Sequence, residues 1–370
     1  MERSVYFVIN TLQGGGAERV LSTLAIDFHN RKIPVKIVCL NYAETVYKLP
    51  NDLEVKYLVR RKSNNSVFRI YYACITFLKL IYLFTKNKPA CVISFMTTAN
   101  VWSGLSAMIT KTAFIVSERT TPEHSIKTQS YLFKSLISII YRNAQAIVVP
   151  AKGIQDCLKM YSGFEKLSNF KIIHNPIADL GHTSELRLND RKFIFGAGRL
   201  SYEKGFDQLI NAFAAVKVKN IDLLIAGEGQ EYTALNQQIQ KLKLQKRVKL
   251  LGLKSNLQDY YAQAELFALP SRNEGYPNAL IEAMSFGCPC IAMDCEFGPS
   301  EIIRHQKNGF LVPNDNLNEL SSGINKILSN AVLKSRISNN AKKINKTNSL
   351  KSISAQWQKL IFSTTVVRLK

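Results

Sequence analysis

The chain predicts an α/β protein made of two Rossmann-like, doubly wound parallel-sheet domains in tandem. Three observations carry that expectation. Short apolar runs of strand type alternate with stretches of helical periodicity along all 370 residues. Glycine-marked strand-to-helix turns occur twice, far apart, at Gly14-Gly15-Gly16 and at Gly198 to Gly205. The length suits two domains, and 46% hydrophobic residues suits packed cores.

In the first half, residues 5–10 read as a buried strand, 11–16 as a glycine turn and 17–30 as a helix. Val20, Leu21, Leu24, Ala25 and Phe28 fall at helical spacing in that helix, and residues 35–40 form the next strand. At the turn, Gly15 and Gly16 allow backbone N–H groups to approach a phosphate; a tight connection with no ligand is the other reading. The dinucleotide pattern G-x-G-x-x-G is absent. Further strands are expected at 90–94, 114–117, 146–149 and 171–173. Ligands of such a sheet bind at the carboxyl ends of its strands, which places Ser117-Glu-Arg-Thr-Thr-Pro-Glu-His124 there. Glu118, Arg119 and His124 are its candidate contact residues.

The net charge is +22, and residues 1–175 carry +13 of it, so an anionic partner is expected. Arg60-Arg-Lys62 precedes a long helical pattern rich in Phe, Tyr, Ile and Leu, with Arg69, Lys79, Lys86 and Lys88 on or around it. Two readings stand: a helix resting on an anionic bilayer surface, or one packed on the sheet with a solvated basic face. Residues 131–142 form a second amphipathic, basic candidate.

In the second half, a strand from Phe193 runs into a turn flanked by Arg199 and Lys204, and a helix follows through Val216. Two cations there suit a diphosphate, whose charge grows as a glycosidic bond breaks. Residues 221–226 form a strand ending at Gly227, 231–244 a helix, and 248–251 a strand ending at Gly252. A short strand over 265–269 then leads through a loop to a helix beginning at Pro277, running to Phe286, with Gly287 beyond it. Its first N–H groups, on Asn278, Ala279 and Leu280, are flanked by Glu274 and Glu282. A positive helix end beside two acids suits a diphosphate joined to hydroxyl-bearing sugars, that is, a nucleotide sugar.

The segment Glu274-Gly-Tyr-Pro-Asn-Ala-Leu-Ile-Glu282 resembles the E-x7-E signature of retaining glycosyltransferases of family GT4, which have the GT-B architecture. Phe193 to Gly205 is similar to the family's G-R-x-x-x-x-K-G motif, and Gly14-Gly-Gly-Ala-Glu-Arg19 to its glycine loop. His174-Asn-Pro176, Phe297 to Ile303 and Asn308 to Val312 are similar to further family segments. The resemblance implies two Rossmann-like domains facing a cleft: acceptor-binding residues 1–178, nucleotide-sugar-binding residues 179–350, and a tail, 351–370, whose Trp357 helix returns to the first domain. It implies that Arg199 and Lys204 hold the donor diphosphate, that Glu274 positions the sugar and faces the developing oxocarbenium, and that Glu282 accepts ribose hydroxyls. Gly15, Gly16, Gly198, Gly227, Gly252, Asn278, Ala279 and Leu280 are the implied donor-binding backbone, and Arg119 and His124 the implied sugar or acceptor contacts. The expected reaction moves a hexose or N-acetylhexosamine, UDP-linked by resemblance, onto a polyprenyl-diphosphate-linked glycan for surface polysaccharide, O-antigen, capsule or glycoprotein glycan.

No metal or cofactor is expected, because no D-x-D pair occurs. Seven cysteines, mostly within apolar runs, read as reduced thiols. The N-terminus lacks a signal-peptide core, and Arg69 and Lys79 interrupt the most apolar stretch, so a cytoplasmic protein, peripheral on the inner membrane face, is expected. Two rivals remain: a nucleotide-dependent sugar epimerase or dehydrogenase, and a non-enzymatic basic module that binds membrane or nucleic acid. The first lacks its fingerprint, and the second has no need of Arg199, Lys204, Glu274 and Glu282 together, so nucleic acid is not the expected partner.

Overall fold

The structure is a computed structural model that describes residues 3–61 and 66–366, without the side chains of Ser66, Val67, Arg69, His124 and residues 364–366. The predicted basic residue Lys62 and the side chains of Arg69 and His124 therefore lie outside what is described. The chain divides into two compact units, residues 1–178 with 350–370, and residues 179–349.

The first unit holds seven strands, β1 (Val5–Ile9), β2 (Val35–Asn41), β3 (Val55–Val59), β4 (Cys91–Phe95), β5 (Phe114–Ser117), β6 (Ala146–Val149) and β7 (Phe170–Ile172), in the order β3-β2-β1-β4-β5-β6-β7. Every pair is parallel. Parallel strands need crossover helices, which cover both faces; this is why β1, β4, β5 and β6 are buried along their whole length and read as apolar runs, with Ser94 and Ser117 as their polar residues. β3 has Lys56 exposed and pairs on one side only, so its mixed burial hid it from a search for apolar runs. β7 starts one residue earlier than the sequence suggests.

The second unit holds β8 (Lys192–Ala197), β9 (Ile221–Ala226), β10 (Val248–Leu250), β11 (Leu266–Leu269), β12 (Cys290–Asp294) and β13 (Phe310–Pro313), ordered β10-β9-β8-β11-β12-β13 and again all parallel. The predicted pair of doubly wound sheets is thus what the chain forms. Each sheet reverses its winding next to its first strand, between β1 and β4 and between β8 and β11, and such points collect ligands.

The helix Leu350–Val366 completes the first unit: Trp357 is fully buried and stacks on Phe95 at a ring separation of 5.8 Å. Among the described residues no helix is long and apolar enough to cross a membrane. The helix Ser66–Asn87 does show one exposed stripe, in which Tyr71, Cys74, Leu78 and Tyr82 recur every three or four residues.

Candidate active site

In the second unit, Lys204 ends a short 3-10 turn, Tyr202–Lys204, which Gly205 closes at φ 64°. A Cβ on Gly205 would stand 2.1 Å from the Pro270 carbonyl oxygen, so only glycine lets this turn lie against the end of β11. The approach brings Lys204 Nζ to 2.6 Å from Glu274 Oε1, and the Ser271 hydroxyl donates to the same oxygen at 2.7 Å. Glu274 is only 8% exposed, so its charge depends on these two donors.

Arg272 ties the two loops together. Its guanidinium donates to Asp207 through both Nη atoms, at 2.8 and 2.7 Å, and Nη1 also reaches the Tyr202 carbonyl at 2.8 Å. The Arg272 backbone N–H donates to the Glu203 carbonyl at 2.8 Å. The hydrogen bonds to Asp207 push the Arg272 pKa above its ordinary value. Sequence reasoning passed over both residues, although a cation two residues before Glu274 and an acid three after Lys204 were there to be paired.

Glycines hold the neighbouring strand ends together. The Gly198 N–H donates to the Ala226 carbonyl at 3.0 Å and the Gly227 N–H to the Gly252 carbonyl at 2.9 Å. Gly227 has φ 143°, and a Cβ there would stand 1.8 Å from the Gly198 carbonyl oxygen. Beside them, a cavity of about 580 Å³ is lined by Glu228, Gly229, Tyr232, Leu250, Leu251 and Gly252.

The helix Asn278–Ser285 begins after Pro277, and its first internal bond runs from the Ile281 N–H to the Pro277 carbonyl at 3.3 Å. The amides of Asn278, Ala279 and Leu280 therefore precede the helix's own ladder. Glu282, one turn on, is 1% exposed and accepts from the Tyr261 hydroxyl at 3.2 Å. This places it inside the unit, unlike the acid beside exposed amides that the sequence suggested. Arg199 is exposed, and its side chain enters no hydrogen bond or ion pair with a described residue.

In the first unit the outcome differs by residue. The Gly15 N–H donates to the Tyr47 hydroxyl at 3.0 Å, and that hydroxyl donates to the Gly15 carbonyl at 2.9 Å. The expectation that this amide faces a phosphate is corrected, since a side chain 32 residues away engages it; Gly16 opens the helix Gly16–Asn30 next to it. Glu118 is fully buried, with Thr97, Asn100 and Tyr141 all donating to its carboxylate. Burial pushes its pKa up to about 7 in spite of those donors.

Arg119 is partly engaged within its own unit. Its Nε donates to the Ser117 hydroxyl at 2.8 Å and its Nη1 to Asn175 Oδ1 at 2.7 Å, while the guanidinium lies over the rings of Phe95 and Trp357. These contacts tie much of the guanidinium to its own unit, yet Arg119 is only half-buried and its Nη2 has no hydrogen-bond partner among the described residues. His124 lies on the π-helical turn Glu123–Lys127.

The family model described as glycosyl transferases group 1 matches residues 182–344, and the model for glycosyltransferase family 4 matches residues 14–179. A relative from Campylobacter jejuni, N-acetylgalactosamine-N,N'-diacetylbacillosaminyl-diphospho-undecaprenol 4-alpha-N-acetylgalactosaminyltransferase, is 31% identical over 351 residues, covering 90% of this chain and 92% of that protein. Among solved structures, the sucrose-phosphate synthase of Thermosynechococcus elongatus superposes with a TM-score of 0.82 at 16% identity, over 99% of this chain and all of the other. HepE of Anabaena, solved with UDP and glucose, superposes at 0.79 and 20% identity, over 98% of this chain and all of the other. The structural likenesses show a shared GT-B fold. With two family matches that between them span both units, and a near-full-length relative, the protein belongs to the family 4, group 1 glycosyltransferases and is a transferase rather than either rival considered above.

Proposed function

We propose that the protein transfers a hexose or N-acetylhexosamine, with retention of anomeric configuration, from a UDP-sugar to a polyprenyl-diphosphate-linked glycan. The observation that carries this reading is the Lys204–Glu274 pair beside the start of the helix Asn278–Ser285. It supplies an ammonium and a helix end for a departing diphosphate, with a carboxylate for sugar hydroxyls and developing positive charge.

In this reading the second unit is the donor lobe. Lys204 and the unengaged Arg199 neutralise the diphosphate, with the amides of Ala279 and Leu280. The backbone at Gly198, Gly227 and Gly252 and the 580 Å³ cavity flank the nucleoside. The first unit receives the acceptor. The Campylobacter relative is named for an acceptor on diphospho-undecaprenol and for N-acetylgalactosaminyl transfer, which supports both the lipid-linked acceptor and the N-acetylhexosamine. The exposed stripe Tyr71, Leu78 and Tyr82, followed one turn later by Lys86, supports docking of the first unit on an anionic bilayer.

Release of nucleoside diphosphate from a panel of nucleotide sugars, with and without an undecaprenyl-diphosphate-linked glycan, tests the reading, and the anomer of the product tests retention. Acceptor-dependent release from a UDP-hexose or UDP-N-acetylhexosamine with an α-linked product is expected; no release from any donor overturns it. Pelleting with anionic liposomes at low salt is expected, and its absence removes the docking surface.

A further inference from the structure

A cavity of about 300 Å³ opens in the first unit at the carboxyl ends of β4 and β5. Met96, Val101, Trp102 and Phe133 form its apolar wall beside uncharged polar side chains such as Thr98, Thr120 and Gln129, and among the described residues no ionised side chain lines it. Two of its hydroxyls are already used: Thr97 Oγ1 donates to Glu118 Oε2 at 3.1 Å, and Ser125 Oγ to the Thr121 carbonyl at 3.4 Å. A ring of sugar hydroxyls would find Thr98, Thr120 and Gln129 but no charged partner among the described residues. A slim apolar chain would meet aromatic and thioether surface that adapts to it.

The backbone bordering the cavity is irregular twice. Met96 holds φ 75°, a left-handed conformation that a non-glycine residue keeps only where its surroundings impose it. Glu123–Lys127 winds as a π-helical turn, a local form that recurs at functional sites. Phe133 belongs to the first turn of the helix Tyr131–Asn143, and the two residues before it, Tyr131 and Leu132, are 75% and 80% exposed. Apolar surface therefore continues from the cavity wall to the outside of the unit along one helical turn.

We propose that this cavity takes the first isoprene units of the acceptor's polyprenyl chain, next to its diphosphate. The proposal rests on the reading of the acceptor given above and adds where its lipid is recognised. An apolar cavity of about 150 Å³ holds one benzene ring, so this one admits roughly two five-carbon units.

The chain has two tryptophans, and Trp357 is buried in the first unit's core. In a Trp357→Phe protein, Trp102 alone emits. Titration with farnesyl diphosphate below its micellar range is expected to change that emission saturably. Inorganic diphosphate and methyl N-acetyl-α-galactosaminide are expected to leave it unchanged. Thr98→Phe, at an exposed position on the cavity rim, is expected to weaken farnesyl diphosphate binding at least tenfold. Should Trp357→Phe not fold, wild-type chain carrying 5-fluorotryptophan gives the same readout by fluorine NMR.

The proposal is overturned if no probe changes the signal, if inorganic diphosphate or the glycoside reproduces the farnesyl effect, or if Thr98→Phe binds like the parent. None of these readouts needs turnover. A failed donor panel therefore sinks the transferase reading alone, and a failed titration sinks the cavity alone.

Discussion

Lys204 Nζ lies 2.6 Å from Glu274 Oε1 although the two residues are 70 apart in the chain. Each is the other's charge partner, and the carboxylate is the more buried of the two. Lys204→Met leaves Glu274 without its cation and is expected to destabilise the second unit by about 2 kcal/mol, part of which a Lys204→Met/Glu274→Gln double variant recovers. Turnover is expected to fall about 10²–10³-fold in either single variant and no further in the double, because the two act as one unit. A double-mutant cycle on thermal midpoints and on kcat checks both halves; strictly multiplicative losses contradict the coupling.

Arg199 presents the opposite case, a cation exposed and with no side-chain partner among the described residues. Arg199→Ala is expected to change stability by no more than about 0.5 kcal/mol, the usual range for a surface substitution. Its kcat/KM is expected to drop about tenfold or more, since a charge aimed at a developing diphosphate is lost. Thermal melts beside steady-state kinetics separate the two effects.

The Arg272–Asp207 fork ties the turn that carries Lys204 to the loop that carries Glu274. Arg272→Lys keeps the charge and loses the planar two-pronged contact, so it is expected to lower kcat about tenfold with little change in the donor KM. Asp207→Asn is expected to act in the same direction more weakly. An Arg272→Lys enzyme with parental kcat refutes the positioning role.

Glu118 links stability to pH. Its pKa rises from 4.5 in the unfolded chain to about 7 in the folded one, because burial penalises the charged form. Below pH 4.5 the group is protonated in both states and has no effect. Between 4.5 and 7 the unfolded chain ionises first, so folded stability falls as pH rises, by about 3 kcal/mol at most. Above 7 the penalty is constant. Glu118→Gln is expected to flatten this part of the curve, as thermal midpoints measured across pH 4 to 8 reveal.

Much of the architecture could be read from the chain because parallel strands buried on both faces are written as largely apolar runs, unbroken in β1 and β11 and interrupted only by Ser94 in β4 and Asp222 in β9. Edge strands such as β3 lack that signature. The candidate site was half legible. Spacing marked Lys204, Glu274 and Glu282 as residue types, but it held no sign that the first two would pair or that Tyr261 would hold the third. Arg119 shows the limit from the other side: its place after β5 pointed to the ligand edge, but nothing local marked Asn175, Phe95 and Trp357, remote in sequence, as its partners. Long-range partners of polar side chains follow from tertiary contacts, which local periodicity does not encode.

The helix Leu350–Val366 has a consequence for biogenesis. Because Trp357 fills the space beside Phe95 and Arg119, the lobe begun before residue 179 cannot finish its interior until residues 350–366 have been translated. The middle lobe, continuous from 179 to 349, is free to fold while that happens. A nascent chain stalled before residue 350 would thus hold one finished lobe and one with its apolar side still open, a form suited to chaperone capture.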